Sequence, residues 1–439
     1  MHEAVDQIVA SVADKLQNYE NILEVVNEKG NFIDTGEGLV NPFHELALSH
    51  GLPAICMLYG EMNEHYPDRD WDRIAHQYMQ RIGRHLQEEG IHSLSMFSGA
   101  AGVALASVCV SRQGQRYGSF IANLNAIITE RIDEHLEHIR GQDDISMGDY
   151  DPISGITGIT AYTLLFHQDP AMYEASRKII QCLLYVCRDK QLNSEAIPGW
   201  YISSEKQFSP RDAQRWPEGC FNIGLSHGVP SLLITLCQAH SVGINEPGQN
   251  ECIRKLAQFL VEHRIESEDE IFWGSHISLQ EYNSGNLTGR YTRDAWCYGS
   301  PGVAYSLLIA GKLMEEEHYI LLATRAMKQA ARRQKEIYCP TFCHGLSGLA
   351  YIVHRFYEET DDEEFLQLSF LLGEQVISMY REDTPFGFET LERNQEDMKQ
   401  YHNVGLIDGA AGQCLPCLLY TKGKRRHGML PFCYGGVKQ

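Results

Sequence analysis

Two short stretches concentrate residues that could do chemistry: Trp296-Cys297-Tyr298-Gly299-Ser300-Pro301-Gly302 and Phe342-Cys343-His344-Gly345-Leu346-Ser347-Gly348. In each, a cysteine stands two residues before a glycine, and a second glycine follows three residues on. An apolar run comes next, Val303 to Ile309 in one and Leu349 to Val353 in the other. Together the two stretches supply three soft donors, Cys297, Cys343 and His344. Three protein ligands leave the fourth position of a zinc ion to water or substrate, the catalytic pattern rather than the structural one. One Zn2+ per chain is therefore expected. Such an ion activates thiols: a thiol of pKa about 8.5 is only a few per cent thiolate near neutral pH, and coordination deprotonates it.

The same frame recurs elsewhere, as Ser49-His50-Gly51, Phe97-Ser98-Gly99, Ile153-Ser154-Gly155, Ser226-His227-Gly228 and Ile407-Asp408-Gly409. The marker glycines 51, 99, 155, 228, 299, 345 and 409 lie between 46 (299 to 345) and 73 (155 to 228) residues apart, room for two helices in each interval. Small or apolar residues follow each marker and Ser, Asp or His often precedes it, so each echo reads as a capped start of a buried helix. Ser98, Ser154 and Asp408 are read as such caps. Between the echoes lie amphipathic stretches, such as Ile128, Ile132, Leu136 and Ile139 with Glu130, Asp133, Glu134 and Glu137 between them. The chain is thus an all-α array of helix pairs, seven buried helices alternating with seven amphipathic ones.

Stacking the repeats aligns His50, Ser98, Ser154, His227, Tyr298, His344 and Asp408 one residue before the marker. If the repeats surround an axis, this column converges on it, and the chemistry-capable types bunch in repeats four to six. His227 shares the place of His344 but has no neighbouring thiol, which suits proton transfer better than ligation. Cys339, four residues before Cys343, and the pair Cys414-Leu415-Pro416-Cys417 are alternative soft donors, the pair also a candidate redox motif. Cys56, Cys109, Cys182, Cys187, Cys237 and Cys252 read as core fillers.

Two intervals are longer by some twenty residues. The excess holds strand-like Ile197 to Ile202 and Ile271 to Ile277, with turn residues at Asn283-Ser284-Gly285-Asn286. A small strand-containing insertion using parts of 192–222 and 265–292 is expected within a single domain over 1–439.

Composition narrows the partners. Among 439 residues, 43% are hydrophobic and 22% charged, which is a globular balance. Lys and Arg number 37 against 58 Asp and Glu, and the net charge of -21 repels a phosphate backbone, so no nucleic acid is expected. Thirteen cysteines, an odd and sparse count, fit a reducing cytoplasm. The uncharged run Ser93 to Ser111 is long enough to raise a membrane span. It falls in register with the other echoes and is read as a buried helix. Met1 to Asp6 shows no secretory signal.

Trp296-Cys297-Tyr298-Gly299 followed by Cys343-His344-Gly345 resembles the signature of the lanthionine synthetase C family, the zinc-dependent lantibiotic cyclases, nearest its nisin-type and subtilin-type members. The resemblance extends to Arg293, to Ser226-His227-Gly228 and to Asp151-Pro152-Ile153-Ser154-Gly155, and covers about residues 90 to 415. It implies an α/α toroid of seven inner and seven outer helices, and an SH2-like character for the insertion. It also implies a reaction: a cysteine of a dehydrated precursor peptide adds to dehydroalanine or dehydrobutyrine, closing a lanthionine or methyllanthionine ring. The addition leaves an enolate that must be protonated. His227 is the expected acid or base, Arg293 would stabilise enolate charge, Tyr298 would donate a hydrogen bond and Asp151 would orient His227. Asp151 reads nearly as well as a helix cap, with Asp149 as a competitor, and Arg293 as a partner of Asp294 or of a distant carboxylate.

The implied partners are the leader-bearing dehydrated precursor, a dehydratase and an exporter, met at the inner face of the cytoplasmic membrane. Two other functions fit the same residues. One is a different zinc-thiolate alkylating enzyme with a prenyltransferase-like toroid, which would need an aromatic isoprenoid pocket and basic diphosphate contacts. The other is a non-catalytic thiol- or peptide-binding protein of this fold.

Overall fold

Each of the seven marker glycines is the N-cap of a helix in the computed structural model, which describes residues 2–34, 38–288, 290–394 and 397–419. These inner helices are α1 (Leu52–His65), α2 (Ala100–Cys109), α3 (Ile156–Thr163), α4 (Val229–Ser241), α5 (Ser300–Met314), α6 (Leu346–Thr360) and α7 (Ala410–Leu418). They are buried on almost every side, as their apolar composition requires.

The expected side-chain caps are not there. At none of the seven starts does the N-cap residue make a side-chain bond, because that residue is the glycine itself. Ser98, Ser154 and Asp408 are therefore not helix caps. The orphan N–H groups are met by backbone carbonyls of the preceding turn: those of Ala410, Ala411 and Gly412 donate to Asn403, Val404 and Gly405 at 3.0, 3.2 and 3.2 Å. The turn wraps so tightly that a Cβ on the marker would overlap backbone, 2.5 Å from Ser93 O at Gly99 and 2.4 Å from Cys339 O at Gly345. Close approach demands the glycine, and at Gly299 a φ of +89° demands it again. The second glycine has the same cause, since a Cβ on Gly412 would lie 1.8 Å from Leu406 O. Where Ser231 replaces it, the hydroxyl donates to Gly228 O at 2.7 Å.

The helices group into two compact units. One holds the described residues up to Asn125 and from Ile337 on. There α6, α7, α1 and α2 are neighbours in that order. Outer helices Glu363–Ser378 and Trp71–Glu89 cover α6 and α1, and α7 is covered by His2–Lys15, so its outer partner comes from the other end of the sequence. Backbone bonds link the residues two before each marker: Cys343 N–H to Ile407 O (2.9 Å), Ile407 N–H to Ser49 O (3.1 Å) and Ser49 N–H to Phe97 O (3.1 Å). Repeats six, seven, one and two are thereby stitched in sequence, with the last joined to the first.

The other unit runs Ala126–Glu336 over the described residues. Here α3, α4 and α5 follow one another, backed by Pro170–Val186, Gln249–Glu262 and Glu317–Arg333. Ser226 N–H donates to Cys297 O at 3.2 Å, the same stitch between repeats four and five. A further amphipathic helix, Gly118–Arg140, carries the chain from the first unit into this one, and its Ile128, Ile132, Leu136 and Ile139 are all buried.

Both strand-like segments contribute short pairs in this second unit. β1 (Cys220–Asn222) and β2 (His276–Ser278) are antiparallel with Phe221 opposite Ile277, drawing on each of the two segments expected to form the insertion. The strand through Ile197 stops there because Pro198 has no N–H to donate, although Ile202 bridges to Cys220. Among the described residues every sheet has two strands, and no helix is long and apolar enough to cross a membrane. The basic tail after Thr421 lies outside the described residues.

Candidate active site

Cys343 and His344 close the turn that leads into α6. Their donor atoms and a carboxylate oxygen of Asp408, at the start of α7, all lie within 4.8 Å of one another. His344 is 7% exposed. Its Nδ1 is 3.5 Å from Asp408 Oδ1, and its Nε2 is 2.7 Å from Glu392 Oε1, out of line for a hydrogen bond. On the far side of Asp408, His50 Nε2 is 3.5 Å from Oδ2. Burial works to lower the pKa of His344, but Asp408, Cys339 and Glu392 outweigh it and hold the imidazole well above its ordinary range. Soft and anionic donors around a buried ring attract a cation, and a metal would take the place of that proton. At Zn–S and Zn–N lengths of about 2.3 and 2.1 Å, two ligands of one ion lie at most about 4.4 Å apart. Tetrahedral geometry asks for about 3.6 Å, so these donors, within 4.8 Å of one another, are of the types zinc takes and would have to draw together by about an ångström to share one ion.

In the other unit, His227 holds at the start of α4 the place that His344 holds at α6. Its Nδ1 lies 2.5 Å from Oδ2 of Asp151, a carboxylate with no solvent exposure. The second oxygen of Asp151 accepts the N–H groups of Ser154 (2.7 Å) and Gly155 (3.0 Å). Asp151 closes the turn into α3 and also lies against Nδ1 of His227. Asp149 does neither, because its carboxylate is occupied in a capping box with Ser146. With Nδ1 donating to Asp151, Nε2 is the nitrogen left to serve a reaction. Phe208 packs edge-on against the imidazole, with ring centroids 4.9 Å apart.

Tyr298 belongs to the same neighbourhood, its ring centroid 6.4 Å from that of His227. Gly224 makes room for it, since a Cβ there would come within 2.5 Å of the ring. Its hydroxyl accepts from Asn222 Nδ2 at 3.1 Å. Cys297 is 6% exposed, and its carbonyl accepts from the Ser226 hydroxyl at 3.3 Å as well as from its N–H. Arg293 sits in the turn before α5, its carbonyl against Gly299. The neighbouring Asp294 is held by Arg333 through two bonds of 2.8 Å. Asp151, His227, Arg293, Cys297 and Tyr298 thus fall in one unit, and Cys343 and His344 in the other.

Residues 42–433 match the family model of lanthionine synthetase C-like proteins. The chain belongs to that family. It is 27% identical over 351 residues to the nisin biosynthesis protein NisC of Lactococcus lactis subsp. lactis, which spans 79% of this chain and 82% of that protein. The solved structure of nisin cyclase is similar at a TM-score of 0.76 and 26% identity, covering 86% of this chain and 89% of that one. This likeness places the lanthionine synthetase C-like chain in the α/α toroid class.

Two competing thiols of this family member, Cys414 and Cys417, fall away on environment, while Cys339 stands beside His344 and helps to raise its pKa. Cys414 and Cys417 lie on α7 at 0% and 2% exposure; burial pushes Cys417 up to about 12 and Cys414 well up, so neither is a thiolate at neutral pH. Cys339 is 1% exposed with its sulfur 3.2 Å from the Thr341 hydroxyl. The twelve cysteines among the described residues are all thiols.

Four residues of the two neighbourhoods are not assigned to a site by sequence alone. Asp408 stands in the right column, where an acidic residue reads as a cap, and Glu392 lies on a strand (Thr390–Asn394) that no repeat announces. Asn222 carries a usable signal. Like Arg293 and Cys339 it is six residues before its marker glycine, the place whose carbonyl presses on that glycine in repeats four to six. His276 comes from the insertion. It lines an open cleft of about 980 Å3 with Trp216, Arg215 and Arg290, and burial, with Arg215 and His227 nearby, lowers its pKa to about 3.

Proposed function

We propose that this chain is a zinc-dependent lanthionine synthetase that joins cysteine thiols of a dehydrated lantibiotic precursor to its dehydroalanine and dehydrobutyrine residues. The observation that carries the reading is the grouping of Cys343, His344 and Asp408 in a member of this family. On the ligand set that the family resemblance implies, Cys297, Cys343 and His344 would hold one ion per chain. When bound, zinc lowers the pKa of an incoming cysteine thiol and presents it as a thiolate. Asp408 and Glu392 lie near the two nitrogens of His344, so whichever nitrogen ligated, the other would have a carboxylate within reach to orient the ring.

The remaining residues handle the proton and the charge. Sulfur bonds to the β-carbon, the C=C π-bond breaks, and its electrons move onto the α-carbon and carbonyl oxygen as an enolate. Arg293 and the Tyr298 hydroxyl stabilise that oxygen. His227 Nε2 returns a proton to the α-carbon, and buried Asp151 steadies the imidazolium from the Nδ1 side. Each thiol proton lost is a carbon-bound proton gained, so ring closure is an isomerisation and needs no co-substrate.

The full chain acts as one catalytic domain in the cytoplasm. It receives a leader-bearing precursor from a dehydratase and passes the product to an exporter at the inner membrane face. Incubating the zinc-loaded protein with dehydrated precursor and then alkylating tests the reaction. Each ring should remove one alkylatable thiol while the peptide mass stays constant. Undiminished thiol counts would leave the family's non-catalytic binding role in its place.

A further inference from the structure

Asn222 is fully buried on β1, and its surroundings fix which way its amide points. Oδ1 accepts the N–H of Gly224 at 2.8 Å, which settles the amide flip. The NH2 group then faces three acceptors: the Tyr298 hydroxyl at 3.1 Å, His276 Nε2 at 3.1 Å and Met147 Sδ at 2.9 Å. An amide nitrogen can only donate and has two protons to share among the three, so the Tyr298 hydroxyl cannot give its proton to Asn222. Its single proton is consequently turned away from Asn222. His276 faces the same amide through Nε2, and its ring stacks on Trp216 (centroids 5.3 Å apart) and on Tyr298 (5.8 Å). Aromatic stacking and the missing Cβ of Gly224 leave Tyr298 one seat.

We propose that Asn222, seated by Gly224 and His276, is a positioning residue that keeps Tyr298 a hydrogen-bond donor toward the reacting peptide. The proposal rests on the cyclase reading for its substrate, while its geometry lies wholly within one unit. The carboxamide is the part that matters. Asn222→Asp keeps the shape and the bond from Gly224, but it puts an oxygen where the NH2 was. That oxygen draws the Tyr298 proton inward.

The experiment is a double-mutant cycle of Asn222→Asp with Tyr298→Phe in the zinc-loaded full chain, read as ring closure of the dehydrated precursor. N222D is expected to lower kcat about tenfold, the worth of one misdirected hydrogen bond, with KM within about twofold. In the Y298F background the same substitution should cost nothing further. Losses that multiply, or an N222D enzyme at the parent rate beside a slow Y298F enzyme, would overturn the proposal. Should N222D not fold, Asn222→Ala, which removes the donor outright, enters the cycle and should likewise cost nothing further in the Y298F background. A substrate-free readout separates this idea from the cyclase reading: with Tyr298 replaced by 3-fluorotyrosine, N222D should shift the 19F resonance. An unmoved resonance refutes the contact, whereas an inactive parent protein with a shifted resonance refutes only the function.

Discussion

His344 and His227 occupy the same position of the same repeat, one residue before a marker glycine and a helix start, yet they live in opposite electrostatic settings. His344 has a thiol beside it and carboxylates facing both ring nitrogens, Asp408 at 3.5 Å and Glu392 at 2.7 Å. His227 has one buried carboxylate on Nδ1, an edge-on Phe208 and a serine where the other has Cys343. The repeat backbone supplies a place, and the neighbouring repeat decides what the place does. Asp408 reaches His344 from repeat seven, and Asp151 reaches His227 from repeat three. Two anionic sides suit the cation site proposed for His344, and one suits the oriented acid or base proposed for His227.

The largest expected effect breaks the metal half of this comparison. Cys343→Ala should leave the purified protein without zinc and reduce ring closure to the level of peptide alone, as metal analysis and thiol counting would show. A C343A protein with stoichiometric zinc would move the ligand to Cys339 or Asp408. Stripping zinc from the parent chain with a chelator should reproduce the loss, and added zinc should restore activity in the parent only.

The proton-transfer half breaks at His227→Asn. Zinc content and fold should stay as in the parent, while ring closure slows by about 10^2 to 10^4, the usual worth of a positioned acid. A zinc-free H227N protein would make the two histidines alike and end the comparison. Asp408→Asn sharpens it instead. If Asp408 orients the His344 ring, zinc affinity should fall about 10- to 100-fold in competition with a chelator, with the chain still folded. An unchanged affinity would leave Glu392 as the partner that matters.

Much of this arrangement is legible in the amino-acid sequence because the repeat is a steric device. The turn before each inner helix crowds its own glycine, so the glycine recurs at every start and marks the register for the columns that hold His227, Tyr298, His344, Cys297 and Cys343. Charge pairing is not periodic. Glu392 reaches His344 from a strand outside the repeat, and His276 reaches Asn222 from the insertion, so neither can be placed by register alone. Asp408 reads as a cap for a physical reason: acidic residues beside a helix start usually cap it, but here backbone carbonyls already satisfy the N–H groups and release the carboxylate toward two histidines.

The frame itself can be tested where no chemistry interferes, by setting a marker glycine against an ordinary one. Gly99 has φ -141° and ψ -162°, extended values open to valine, so any loss there must come from contact. A Cβ would sit 2.5 Å from Ser93 O and 2.6 Å from Ser95 N, both backbone atoms of the turn that starts α2. They cannot swing aside as a side chain would. Gly99→Val should therefore lower stability by about 1–3 kcal/mol in thermal or denaturant melting. Gly83, within the outer helix Trp71–Glu89, has nothing within 4 Å of where its Cβ would be. Alanine there is favoured over glycine by about 1 kcal/mol in a helix interior, so Gly83→Ala should melt at or slightly above the parent. Equal responses at the two positions would mean that the markers are helix-start preferences, and the steric register that places both histidines would lose its basis.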